Sequence, residues 1–186
     1  MAWANQKLTL FHGTNTFALG QSPNLRDRIS LTIDLNRCRP DTDFGQGFYA
    51  TTSFHQASQW ANNSVRLAQN QITPIASDAI VLRFDVARDD LAVLDFLGFV
   101  RDTDDFYDLV AFCRSRTAPG LPRSHGRHPP NLAYDVVFGP VALGNQRLVI
   151  QGRDQVSFHT DAAVNYLSRG GIDVYDKAAT GSGFLP

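Results

Sequence analysis

Long apolar runs are missing from this chain. No stretch approaches the roughly 20 residues that a bilayer-spanning helix needs, which excludes the usual transmembrane signature. Cysteine is almost absent. Cys38 and Cys113 are the only two, and neither their number nor their spacing suggests a disulfide framework or a zinc site. An excess of one charge is missing too. The formal net charge is -1, so the chain has no global electrostatic reason to seek DNA or an anionic membrane. The N-terminal residues lack a basic stretch followed by an apolar one, so no signal peptide is expected. These absences make a reducing, cytoplasmic setting the default expectation, with no metal and no membrane partner. What is present belongs to an ordinary globular protein: 43% hydrophobic and 19% charged residues, with 13 phenylalanines to build an aromatic core. A length of 186 residues fits a single domain over 1–186. One basic patch stands out, made of Arg114, Arg116, Arg123, Arg127, His125 and His128. Its plain reading is a solvated loop.

Hydrophobic periodicity orders the elements. Residues 8–12 alternate and read as a strand ended by Gly13. Residues 18–43 are mostly loop, with a short strand at 29–33. A Gly-punctuated strand follows near Tyr49. Ser53, with Gln56 three residues on, has the capping-box pattern for a helix over 54–69. A strong strand over 79–86 and a weaker one over 91–94 come next, then a helix over 104–116. Residues 117–131 read as a mobile Pro/Gly/Arg/His loop. Strands over 134–139, 147–150 and 155–159 lead into a helix over 161–167, and residues 178–186 read as a flexible tail. Early and late groups of strands with helices between them favour α+β with mostly antiparallel sheets.

Three segments draw attention: Phe11-His12-Gly13-Thr14, the stretch from Asp43 to Thr51 with the helix carrying Trp60, and Gln155-Val156-Ser157-Phe158. Singly, each has an ordinary structural reading. Phe44-Gly45-Gln46-Gly47-Phe48-Tyr49 lacks the third glycine of the dinucleotide fingerprint and leads into a strand. Trp60 at helical spacing suits a core, and Gln155 suits a strand-end bond to backbone.

In order, they resemble the ADP-ribosyltransferase superfamily, in its diphtheria-toxin/poly(ADP-ribose) polymerase branch. The likeness is closer still to a bacterial and fungal family of transferase-like domains of unknown function. That family carries HGT, DFGxGFYxT, QAxxWA, YDxVxGPxA and QxSFxT. Here these blocks read His12-Gly13-Thr14, Asp43 to Thr51, Gln56 to Ala61, Tyr134 to Ala142, and Gln155 to Thr160. The resemblance implies two packed, mostly antiparallel sheets flanked by helices, with an NAD cleft between them. It implies NAD as substrate, contacted by His12, Gly13, Thr14, Gly45, Gly47, Tyr49 and Trp60. Tyr49 and Trp60 would stack on the nicotinamide and share a cleft with His12. His12 would hydrogen-bond the adenine-side ribose, and the Gly13 backbone would hold the nicotinamide amide. Asp43 would pin its own loop.

The implied reaction breaks the nicotinamide glycosidic bond through an oxocarbenium-like transition state and passes ADP-ribose to a protein or nucleic-acid acceptor. His12, Tyr49 and Gln155 would be its catalytic residues. The chain departs from the superfamily at Gln155, where a catalytic glutamate is usual. Gln can orient a ribose hydroxyl but supplies no negative charge, a loss of roughly 3 kcal/mol of barrier lowering. Arg153 replaces the glutamate of arginine-modifying relatives, which disfavours an arginine acceptor. Asp154 should point to the opposite face of the strand. A toxin or effector role follows from the family's general character, with delivery into a target cell and a cognate antitoxin or immunity protein as partner. The rivals are an NAD glycohydrolase and an NAD- or ADP-ribose-binding module without catalysis. The 117–131 loop would lie near the mouth of the cleft.

Overall fold

A computed structural model describes residues 5–19, 32–115, 134–144 and 146–176. The basic patch beyond Arg114, the 117–131 loop, most of the 29–33 strand and the 178–186 tail lie outside the described residues. The architecture is α+β, with two sheets, of three and four strands, in which antiparallel pairings predominate. The chain divides into two compact units.

The first unit combines residues up to 32, 50–88 and those from 167 onward. Its sheet has the order β1-β3-β7: β1 is Leu8–Asn15, β3 is Ala79–Val86 and β7 is Ile172–Asp176. Both pairings are antiparallel, and β1 and β3 match from Leu8↔Val86 to Asn15↔Ala79. β3 lies in the middle, which explains its nearly unbroken apolar run: Ile80, Val81, Leu82, Phe84 and Val86 are all buried. β1 does not end at Gly13 but continues to Asn15. A short helix α1 (Thr16–Leu19) follows. The Asn15 carboxamide oxygen accepts from the Ala18 amide at 2.8 Å.

Helix α2 (Phe54–Gln69) covers one face of this sheet. Ala57 and Ala61 pack with Ala79 and Val81, ringed by Phe11, Phe54, Val65 and Tyr175. Small alanines let the helix axis approach the sheet closely. Ser53 caps the helix, its hydroxyl accepting from the Gln56 amide at 3.2 Å. The other half of the expected box is filled differently. The Ser53 amide donates to Thr51 Oγ1 at 3.1 Å, so Thr51 takes the place expected for the Gln56 side chain.

The second unit combines residues 33–49 and 89–166. Its sheet has the order β2-β6-β5-β4. β2 is Phe48–Ala50, β6 Val149–Phe158, β5 Val136–Ala142 and β4 Phe96–Gly98. β5 pairs antiparallel with β6 and parallel with β4. The 91–94 strand is not formed. A one-turn helix α3 (Arg88–Leu91) stands there, closed by Leu94 donating to the Leu91 carbonyl at 3.2 Å.

Helix α4 (Asp104–Ser115) completes the core of this unit. Phe106, Leu109, Phe112 and Cys113 pack with Phe44, Phe99 and Val137. Phe106 meets Phe44 and Phe99 edge to face, at 6.1 and 5.6 Å between centroids. β5 runs straight through Gly139-Pro140, where the sequence predicts a stop. A Cβ at Gly139 would lie 3.0 Å from the Phe44 ring, so the glycine gives that ring its room. Pro140 has no amide to donate, and the register with β6 shifts between Pro140 and Ala142. β6 is one ten-residue strand rather than two short ones. Its first six residues are half-buried or exposed and its last four are buried. Thr160 then caps helix α5 (Asp161–Ser168), accepting from Ala163 at 3.3 Å.

Candidate functional site

The second unit holds a buried polar knot centred on Asp43. Its Oδ1 accepts from Arg114 Nη2 at 2.5 Å and Nε at 3.2 Å. Its Oδ2 accepts from the Ala142 amide at 2.8 Å and from Gln155 Nε2 at 2.6 Å. One carboxylate thus joins the loop before β2, helix α4, strand β5 and strand β6. Arg114 is therefore no solvated loop residue. It is the counter-charge of a nearly buried acid, and it also donates to the carbonyls of Ala142 and Gly144. Removing one partner of such a pair typically costs about 3–5 kcal/mol.

Gln155 sits in the interior of β6 at the start of its buried half, not at the head of a strand as the sequence suggests. The middle of β6, from Gln151 to Asp154, is polar and interrupted by Gly152 at φ 69°, which separates the two short strands that the sequence suggests. Besides Asp43, Gln155 Nε2 donates to the Pro140 carbonyl at 2.9 Å. Both amide hydrogens are therefore committed within the protein. Asp154, on the other face of β6, lines an open groove of about 350 Å³ with Phe99, Arg101, Phe138 and Arg153.

Two residues on, Ser157 shares the Gln155 face and is wholly buried. Its Oγ lies 2.8 Å from His159 Nε2 and 3.2 Å from the Val137 carbonyl. His159 Nδ1 lies 2.8 Å from the Gln46 carbonyl, which accepts only, so Nδ1 carries the proton and Nε2 of the neutral ring is an acceptor that shares the Ser157 hydroxyl proton with the Val137 carbonyl. Burial pushes the His159 pKa below its ordinary value, with the Gln46 carbonyl opposing. The pair superficially has the order of a nucleophile and base. Complete burial of Ser157 denies it any reactant, so its role is to lock the loop onto β6.

Gly47 makes that lock possible, since a Cβ there would lie 2.8 Å from His159 Nδ1. Gly45 has φ 82°, a left-handed conformation that favours glycine. The Tyr49 hydroxyl closes the same loop. It accepts from Thr42 Oγ1 at 2.8 Å and the Phe44 amide at 2.9 Å, and donates to the Gly45 carbonyl at 2.9 Å. Its ring stacks on Phe44 and meets His159 edge to face, at 6.4 Å each. Burial pushes the phenol pKa well above its ordinary value. Gly45, Gly47, Tyr49 and Gln155 thus come together with Asp43 in one interlocked assembly.

His12, Gly13, Thr14 and Trp60 belong to the first unit. Gly13 packs directly on α2. A Cβ there would lie 2.0 Å from the Ala57 carbonyl oxygen and 2.7 Å from the Ala61 amide nitrogen. Alternation along β1 gives Gly13 to the α2 face and turns His12 and the buried Thr14 to the other face, opposite Leu82 and Ile80. Trp60 lies on α2 between the two contact points of Gly13 and is 48% exposed. A place enclosed in the core is thereby excluded for it.

Among the described residues, no group of three or more His, Cys, Asp or Glu side chains is placed to hold a metal. No helix there is long and apolar enough to cross a membrane. Sequence reasoning missed His159 and Arg114 as parts of the assembly. The one available signal was that His159 follows Gln155 and Ser157 at a period of two.

An α+β chain of two sheets, with a buried carboxylate–carboxamide knot in one unit and a glycine-tight strand–helix joint in the other, defines the class. Over residues 27–151, more than half its length, the chain matches the family described as "Protein of unknown function (DUF3990)". It belongs to that family. No curated protein and no solved structure matches it.

Proposed function

We propose that this protein is an NAD-binding domain with an ADP-ribosyltransferase-like fold, which breaks the nicotinamide glycosidic bond and passes ADP-ribose to a macromolecular acceptor. The ordered motif blocks motivate this reading, and the exposure of Trp60 carries it. Trp60 stands half in solvent on α2, the helix against which Gly13 packs. An exposed indole is a natural platform for a flat cationic ring, worth roughly 0.5–1 kcal/mol in water and more when desolvated. A toxin or effector delivered to a target cytoplasm is the biological setting this reading carries.

A second reading is favoured by Gln155. Its side chain is neutral and its amide hydrogens bind Asp43 and Pro140, so it offers no charge to an oxocarbenium ion. That favours a slow enzyme, or a module that binds NAD or ADP-ribose. Incubation with labelled NAD and lysate separates the outcomes. Label on a macromolecule with free nicotinamide means transfer. Nicotinamide and free ADP-ribose without labelled macromolecule mean hydrolysis. Saturable quenching of Trp60 fluorescence by NAD in a Trp3→Phe background, with no product, means a binder. No quenching and no product reject the proposal.

A further inference from the structure

We propose that Asp43 is a positioning residue that acts through Gln155, fixing its carboxamide so that Oε1 is presented as an acceptor for a ligand hydroxyl. The inference rests on the NAD reading above for its ligand, but its geometry stands independently. One end of the Gln155 side chain faces two groups that can only accept: a carboxylate oxygen of Asp43 at 2.6 Å and the Pro140 carbonyl at 2.9 Å. The atom facing them must be the nitrogen. The reverse rotamer would set a carbonyl oxygen against a carboxylate and a second carbonyl. The orientation is therefore dictated by chemistry.

Asp43 is itself held from the far side. Arg114 grips Oδ1 and the Ala142 amide holds Oδ2, so the carboxylate cannot rotate away. Oε1 of Gln155 receives no hydrogen bond from any described residue. It is not sealed either: among the described residues the one buried side-chain polar atom without a partner is Ser77 Oγ. The remaining 8% exposure of Gln155 fits an atom that meets solvent. Such an oxygen accepts and cannot donate. It takes a donor, such as a ribose hydroxyl, and rejects an ionised phosphate or carboxylate.

The chain thus keeps a negative charge near the late strand but holds it one hydrogen bond behind Gln155, on Asp43. All of that carboxylate's contacts are internal. Asp43 orients the group that meets the ligand and does not meet it.

The test is a double-substitution cycle read by NAD titration, with NMR of the Gln155 side chain in the intact chain. Asp43→Ala and Gln155→Met should each weaken NAD binding about tenfold, and the double variant should lose no more than either alone. Wild-type affinity in Asp43→Ala, or losses that multiply, overturn the proposal. The Gln155 NH2 protons should exchange slowly in the wild type and at least about tenfold faster in Asp43→Ala. Equal exchange overturns it. If Asp43→Ala does not fold, a scalar coupling from Gln155 Nε2 to Asp43 Cγ in the wild type reports the bond directly, and its absence overturns the proposal. If the wild type binds no NAD, the functional reading fails, while exchange and coupling still decide whether Asp43 fixes the amide.

Discussion

Gln155→Glu is the substitution that would restore the superfamily's carboxylate, and the structure predicts that it will not be tolerated as a charged group. The introduced oxygen would face Asp43 Oδ2 where Gln155 Nε2 now lies at 2.6 Å. Two carboxylates about 4 Å apart repel by roughly 4 kcal/mol at an effective dielectric constant of 20, and closer contact costs more. A charge-assisted hydrogen bond of roughly 1.5–3 kcal/mol is lost as well. Proton uptake by the introduced carboxyl limits the penalty, because an acid group then donates where the amide did. Holding a carboxyl of ordinary pKa about 4.3 protonated at pH 7 costs about 2.7 pH units, or ~4 kcal/mol. The variant should therefore be destabilised by ~4 kcal/mol at pH 7, a fall in Tm of roughly 8–16 °C for a chain of this size. The sign follows from linkage. The introduced group's pKa is raised in the folded state, so the folded variant holds a proton that the unfolded one releases above about pH 4.3. The deficit should grow with pH at about 1.4 kcal/mol per unit and shrink toward zero near pH 4.3. Urea denaturation of wild type and variant between pH 4.5 and 8 measures this. A variant as stable as wild type at pH 7.5, or a deficit independent of pH, would refute the reasoning and return the charged group to the catalytic reading.

Gly13→Ala should cost about 3 kcal/mol or more, since its Cβ would lie 2.0 Å from a backbone oxygen of α2 and the helix must shift; a Tm within 2 °C of wild type, allowing roughly 2–4 °C per kcal/mol, would refute it. Trp60→Ala should change stability by less than about 1 kcal/mol because the side chain is half exposed, while NAD affinity falls several-fold; titration calorimetry showing unchanged affinity would remove Trp60 from the site. The depressed pKa of His159 means that the folded state takes up its proton later than the unfolded chain does. Its contribution to stability is present above about pH 6.5 and is lost as pH falls through the lower folded value. His159→Gln should flatten that part of the stability profile between pH 5 and 7, and an identical slope in both proteins would count against it.

Elements with a clean period were legible in the sequence. α2 and β3 stand where the periodicity puts them, and α4 and α5 do so to within one residue. Two differences share a physical cause: a residue that breaks periodicity need not end an element. Gly13 was taken to end β1, yet it is there because α2 lies against it. Gly139-Pro140 reads as the end of β5, yet the glycine makes room for Phe44 and the proline falls at a register shift. β7 was missed because Ile172, Val174 and their polar neighbours form a short edge strand behind Gly170-Gly171, too brief for a periodic signal. For the site, spacing could suggest that Gln155 and Ser157 share a face. It could not show that Asp43, 112 residues away, binds Gln155, or that Gln46 offers its carbonyl to His159. Such pairings depend on strand order, and no local pattern encodes that.

The motif blocks now divide by what packing explains. Asp43, Gly45, Gly47 and the Tyr49 hydroxyl build and lock one loop, while Gly139 leaves room for its Phe44 and the Pro140 carbonyl accepts from Gln155. Ala57 and Ala61 set the close approach of α2 to Gly13. A protein with no ligand would need all of these to hold its shape, so none of them speaks for function by itself. Two features of the same blocks reach beyond the packing. Trp60 exposes an indole at a helix surface, and Gln155 is oriented with elaborate support only to leave Oε1 without a protein donor. Orienting a buried amide through a carboxylate–guanidinium pair is a costly way to fill space, because an apolar side chain of similar volume would often be neutral or better. The support makes physical sense if the oxygen it aims is used. Function should therefore be sought at Trp60 and at Gln155 Oε1 before any of the better-packed residues around them.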